Sequence, residues 1–189
     1  MPRFLTFVIF GLGFLGAAQR ASADTPLGPP SRFTQCSANG IYCVEMVPDS
    51  DGTVFRKGSD GRRTNLWVIP GWHRAVFVSD DGHHLVKCYG GLNLVPIRFD
   101  PAMPLVEIWR DGVLKHQLSL RTVVGDPSKM IRTVSHYAWG SCRGFESETR
   151  FVLFTQAYDS KPPNDLLERK VFVEVQTGKL VRTNEITRQ

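Results

Sequence analysis

Histidine and cysteine are the residues through which this chain would act chemically, and three of its five histidines fall in one stretch, WHRAVFVSDDGHH, residues 72 to 84. If Trp72 and His73 lie at the same end of a sheet as the Asp81-Gly82 turn, then His73, His83, His84 and Asp80 converge on a site suited to a transition metal. A tetrahedral zinc site takes three or four such ligands, yet the spacing here matches no H-E-x-x-H or related motif. His83 and His84 are adjacent, and neighbours on a strand point to opposite faces, so only one of them can serve a given site. Polar residues flanking a turn are the plainer reading, and no cofactor is expected.

Ser135-His136 and Ser141-Cys142 offer nucleophiles, with Asp126 or Glu146 as a third member. There is no G-x-S-x-G and no strand-to-helix elbow to expose the serine, so a triad has no motif behind it. Cys142 as a thiol competes with its own place in a disulfide. Trp72 follows the Pro70-Gly71 break at a loop end, where an indole stacks on a ligand or covers a sheet edge. Trp72, His73, Asp80 and Asp81 are therefore the candidate ligand-binding residues.

The four cysteines, Cys36, Cys43, Cys88 and Cys142, have no C-x-x-C spacing, which excludes a thioredoxin-like redox pair and a paired zinc knuckle. In an exported chain they form two disulfides with three possible connectivities. A two-residue turn at Asn39-Gly40 would set Cys36 opposite Cys43, leaving Cys88 to pair with Cys142. That register makes Cys36 and Cys43 a hydrogen-bonded pair with α-carbons about 5.5 Å apart.

The elements that must position these residues read as short antiparallel strands. Ala75 to Val78 and Leu85 to Tyr89 flank the Asp81-Gly82 turn; Leu105 to Trp109 and Val113 to Leu118 flank Asp111-Gly112; Lys170 to Val175 and Lys179 to Arg182 flank Gly178. Further strands are expected at 33–37, 41–47, 53–56, 66–69, 134–139 and 150–157. Residues 119–133 hold the one helical piece, one or two turns long, with Asp126-Pro127 as cap and first-turn proline. Asp49-Ser50-Asp51-Gly52 begins like a calcium loop but lacks the later ligands, so it is a plain turn. Residues 158–166 read as a surface loop. Some eleven strands with turns at short intervals make an all-β meander, blade-like or sandwich.

Residues 1–23 have the form of a signal peptide: a basic start, the apolar run Phe4 to Ala18, and Ala21-Ser22-Ala23 as the cleavage site. The run is short of the roughly 20 apolar residues a membrane span needs, and no later segment is apolar enough. Residues 24–34 form an extended, proline-rich lead-in, and 35–189 a single antiparallel β domain. The formal net charge of +5 is reduced when Arg3 and Arg20 leave with the signal, and the remaining basic residues are scattered, which argues against nucleic acid.

At Ser37 to Gly40, Leu66-Trp67, Val78 to Gly82 and Val175 to Val181 the chain resembles blade motifs of β-propeller proteins, and is similar to small exported bacterial proteins carrying the NG, LW, SDDG and TG series. The resemblance implies four-stranded antiparallel blades and no activity, and the chain is too short to close a propeller of four or more blades. The functional expectation is an exported, periplasmic or extracellular, non-enzymatic binding module for a protein, peptide or glycan. The alternative is a metal-dependent or Ser/Cys hydrolase.

Overall fold

A computed structural model describes residues 27–158 and 166–188, so the expected signal peptide and most of the expected 158–166 loop lie outside the described residues. The chain is nearly all β, as its turn-punctuated alternation requires. Strands β1 (Phe33–Cys36), β2 (Tyr42–Met46), β3 (Gly52–Lys57) and β4 (Arg63–Ile69) form a first antiparallel meander. The second sheet is β5 (Ala75–Val78), β6 (His84–Cys88), β8 (Pro104–Arg110) and β9 (Val113–Ser119), with β7 (Leu94–Pro96) diverted out of it. Helix α1 (Leu120–Val124) follows, then β10 (Ile131–Arg132) and β11 (His136–Ala138); β11 lies between β10 and β7 in a small side sheet. The third four-stranded meander is β12 (Gly140–Ser147), β13 (Arg150–Tyr158), β14 (Leu166–Glu174) and β15 (Lys179–Arg188).

The turns explain the hairpins. Asp111 and Gly112 both have positive φ, 49° and 80°, the type I′ geometry whose twist suits paired strands, and Arg110 faces Val113 across them. Gly82 closes the β5–β6 turn at φ 73°, and a side chain there would also strike the ring of Tyr42 on β2. The β1–β2 turn is wider than the expected two-residue loop. Ser37 N–H donates to Tyr42 C=O, and the Asn39 side chain accepts from Ile41 N–H inside the loop. Cys36 still faces Cys43, but between hydrogen-bonded positions, with α-carbons 3.9 Å apart rather than the wider spacing expected. Both disulfides, Cys36–Cys43 and Cys88–Cys142, are formed and no cysteine is free.

The middle sheet is buried on both faces. Leu85 of β6 packs with Val76 and Val78 against Val44, Met46, Val54 and Ile69 of the first sheet. Its neighbour Val86 points the other way, into a larger core with Ile108, Phe151, Leu153, Val171 and Val173. The three sheets are thus stacked, and β5 touches β1 and β2 on one side and β12 on the other, so the first strand of each sheet lies at one common edge. The arrangement is an all-β stack of antiparallel sheets, consistent with a sandwich or blade-like fold, without closure.

The outermost faces are finished by cations laid over rings. Arg63 covers Phe55 at 4.0 Å from the ring centroid while bonding Glu45 at 2.6 Å. On the far side, Arg150 and Lys170 cover Phe172 and pair with Glu174 and Glu146. The apolar stems shield the rings and the charged heads meet water, so neither end of the stack presents a bare apolar face there.

Several elements differ from expectation, among them the short strands β7 and β10, the latter inside the 119–133 stretch expected to be helical. The helix starts at Ser119, whose hydroxyl accepts from Thr122 N–H, and Asp126-Pro127 opens a separate 3₁₀ turn. Strand β12 was not foreseen: GSCRGFES has no β-branched run, and its two glycines read as a break.

Candidate functional site

The two ends of β6 carry the sequence candidates, and they are opposite ends. His73 sits where β5 begins, its Nε2 hydrogen-bonded to the carbonyl of Cys88, while His83 and His84 lie at the Asp81-Gly82 turn. The three imidazoles therefore do not converge, and among the described residues no group of three or more His, Cys, Asp or Glu is placed to hold a metal ion. The reason is register: β5 runs the length of the sheet between Trp72-His73 and Asp80-Asp81.

Each turn residue is tied into the fold. Asp80 Oδ1 accepts from Asn39 N–H at 2.8 Å and its carbonyl from the Asn39 amide, locking the β1–β2 turn to the β5–β6 turn. Asp81 is partly buried, which opposes its ionisation, but bonds from the Ser79 hydroxyl and His83 N–H keep its carboxyl below the ordinary value. His83 Nδ1 lies 2.8 Å from Asp111 Oδ1, and that bond raises its pKa. Trp72 donates its indole N–H to the carbonyl of Ser31 at 2.9 Å and meets the edge of Phe33, so it anchors the lead-in to the first core.

His84 is different. It is 4% exposed, neither ring nitrogen has a hydrogen-bond partner among the described residues, and Asp81 Oδ2 stands 3.7 Å from Nδ1. Burial lowers its pKa below 6.5, with Arg110 acting in the same direction and Asp81 and Asp111 against it. His73 is also lowered, chiefly by burial. A histidine kept neutral by the fold binds its proton more weakly than in the unfolded chain. Its contribution is present above pH 6.5 and is lost as pH falls through the depressed pKa. The melting temperature should accordingly fall by a few degrees below pH 6.5, and His84→Leu should flatten that slope. The Asp81 contribution is lost in a lower window, below 3.8. Parallel pH profiles for wild type and variant would refute the assignment to His84.

The hydrolase candidates are occupied otherwise. Cys142 is in a disulfide, Asp126 caps Ser128, and Glu146 bonds Lys170. Ser135 and His136 bond each other as chain neighbours.

The geometry draws attention instead to the line where the second and third sheets meet. A cleft of about 410 Å³ opens there along the free edge of β12. Its apolar wall is Phe77, Leu92, Tyr89, the Cys88–Cys142 disulfide and Trp139, which is 1% exposed and fixed by a bond from its indole N–H to Leu92 C=O at 2.7 Å. Its polar side chains are Asn93, Ser141, Arg143, Gln156 and Glu168. Between Cys142 and Gly144 the pairing of β12 with β13 shifts register, so Arg143 sits in a bulge that turns its side chain over the ring of Phe154, 5.2 Å from the centroid. Arg143 and Phe77 also border a smaller cleft of about 200 Å³ between β1, β5 and β12. A third, of about 290 Å³, shares Cys88 and Tyr89 with the first and is lined by His73, Lys87 and Glu107. Lys87 there donates to Pro70 C=O at 2.8 Å, lies over Trp109, and has its pKa lowered by burial.

Sequence reasoning passed over Arg143, Gln156 and Glu168. The available signal was the pair of glycines, Gly140 and Gly144, bracketing Cys142 and Arg143, since glycine inside a strand marks a bulge or a close approach. No helix among the described residues is long and apolar enough to cross a membrane. No protein-family model matches the chain, and a search of curated proteins returns no match.

Proposed function

We propose that the chain is an exported, disulfide-stapled β module that binds a small ligand in the cleft between its second and third sheets. The observation that carries this reading is the cleft itself: an aromatic and disulfide wall facing five polar side chains, in a volume within the roughly 300–1,000 Å³ typical of small-molecule sites. Two disulfides suit an oxidising compartment, and the signal-like start of the sequence supplies the route. The cleft lies at the Trp72-His73 end of the second sheet, with His73 in the adjoining depression; Asp80 and Asp81, at the opposite end, hold two turns together. Among the described residues, its side chains include no nucleophile hydrogen-bonded to a base, which favours binding over hydrolysis.

The test is a thermal-shift screen of small aromatic acids, amines, amides and amino acids against wild type and Ser141→Trp. Ser141 is half-buried in the cleft, so an indole there fills it. Compounds that stabilise wild type should leave Ser141→Trp unmoved. If no compound discriminates between the two proteins, the cleft is not the site.

A further inference from the structure

The cleft holds one cation and one anion that do not neutralise each other. Three cations lie over aromatic rings on the outer face of the third sheet. Arg150 and Lys170 have carboxylate partners, at 3.2 Å from Glu174 and 3.0 Å from Glu146. Arg143 has none among the described residues, although it is the one that borders the cleft. Glu168, across the same cleft, accepts a bond from the Gln156 amide at 2.9 Å and has no cation partner among the described residues.

A guanidinium and a carboxylate that have no partner of opposite charge among the described residues, lining one apolar-walled cleft, are complementary to a molecule with the reverse pair of charges. Resting on the binding reading above, we propose that the cleft takes a small zwitterion, a carboxylate and an ammonium on an apolar or aromatic body, which is the chemistry of an apolar amino acid or a short apolar peptide. The carboxylate meets Arg143, whose planar fork donates two parallel hydrogen bonds to its oxygens. The ammonium meets Glu168, held in place by Gln156. The apolar body lies against Phe77, Tyr89 and Trp139. The β12 bulge gives this arrangement a structural cause, because it brings Arg143 onto the sheet face that carries Phe154, Gln156 and Glu168.

The probes are L-phenylalanine, a phenylalanyl-leucine dipeptide, N-acetylphenylalanine and phenylalaninamide, titrated calorimetrically into wild type, Arg143→Gln, Arg143→Lys, Glu168→Gln and Ser141→Trp. At least one of the two zwitterions should bind wild type about tenfold or more tightly than both blocked forms, and which of the two binds separates an amino acid from a peptide. Arg143→Gln should erase the preference over the amide and Arg143→Lys restore part of it. Glu168→Gln should erase the preference over the acetylated form. Blocked forms that bind as tightly as the zwitterions, or a preference that survives both glutamine variants, overturn the proposal. If none of the four probes binds while neutral compounds still separate wild type from Ser141→Trp, the zwitterion is wrong and the binding cleft stands. If nothing separates those two proteins, both readings fall.

Discussion

Gly140→Ala is expected to unfold the third sheet's inner edge and cost at least about 4 kcal/mol, the range reserved for a named steric failure. Gly140 has φ 141°, a backbone conformation that side chains rarely adopt. A methyl group there would stand 1.8 Å from the carbonyl oxygen of Phe154 and 2.8 Å from its carbon. Both are backbone atoms of the paired strand β13, so they cannot step aside without breaking the Gly140–Thr155 pairing. In a chain of this size each kcal/mol lowers the melting temperature by about 2–4 °C, so a fall of about 8 °C or more is expected. Gly144→Ala is the control. It shares positive φ, 113°, but its methyl would meet only the edge of the Phe77 ring at 3.5 Å, an ordinary contact. Equal losses for the two variants would mean that conformation, not the close approach of β13, governs both positions.

That glycine also marks the boundary of what could be read from residues alone. Hairpins with a β-branched run on each side and a glycine turn between were legible, because local twist and side-chain pattern determine them: the turns of β5–β6, β8–β9 and β14–β15 fall where expected, although β14 starts earlier, at Leu166, and β15 runs on to Arg188. The Cys36–Cys43 register was legible for the same local reason. What the residues did not disclose is which sheet each hairpin joins. β7 leaves the second meander to pair with β11, a contact between segments far apart in the chain that no local preference encodes. The cleft shared that fate. His73 and His84 are conspicuous in sequence and are separated by the length of β5, whereas Tyr89, Trp139, Arg143 and Glu168 are scattered in sequence and meet because the second and third sheets stack. His84 was visible as a histidine, but its isolation was not: being flanked by a turn says nothing of the core that closes over it.

Stacking through one covalent link leads to the second large effect. Cys88–Cys142 joins β6 of the middle sheet to β12 of the third and closes a separation of 54 residues, whereas Cys36–Cys43 staples one hairpin across 7. Cross-linking restricts the unfolded chain more as the closed loop lengthens, and the chain-entropy relation gives about 4 kcal/mol for the long loop and about 2 kcal/mol for the short one. Replacing Cys88 and Cys142 together with alanine should therefore lower stability about twice as much as replacing Cys36 and Cys43, measured by denaturant unfolding under non-reducing conditions. The long link also forms part of the cleft wall. Probe binding should weaken in the Cys88/Cys142 variant at temperatures where circular dichroism still reports folded sheet, and should be unchanged in the Cys36/Cys43 variant, whose hairpin lies outside that cleft. Equal destabilisation by the two pairs would show that the stacked sheets hold each other without the bridge. Unchanged binding in the Cys88/Cys142 variant would show that the cleft is shaped by packing alone.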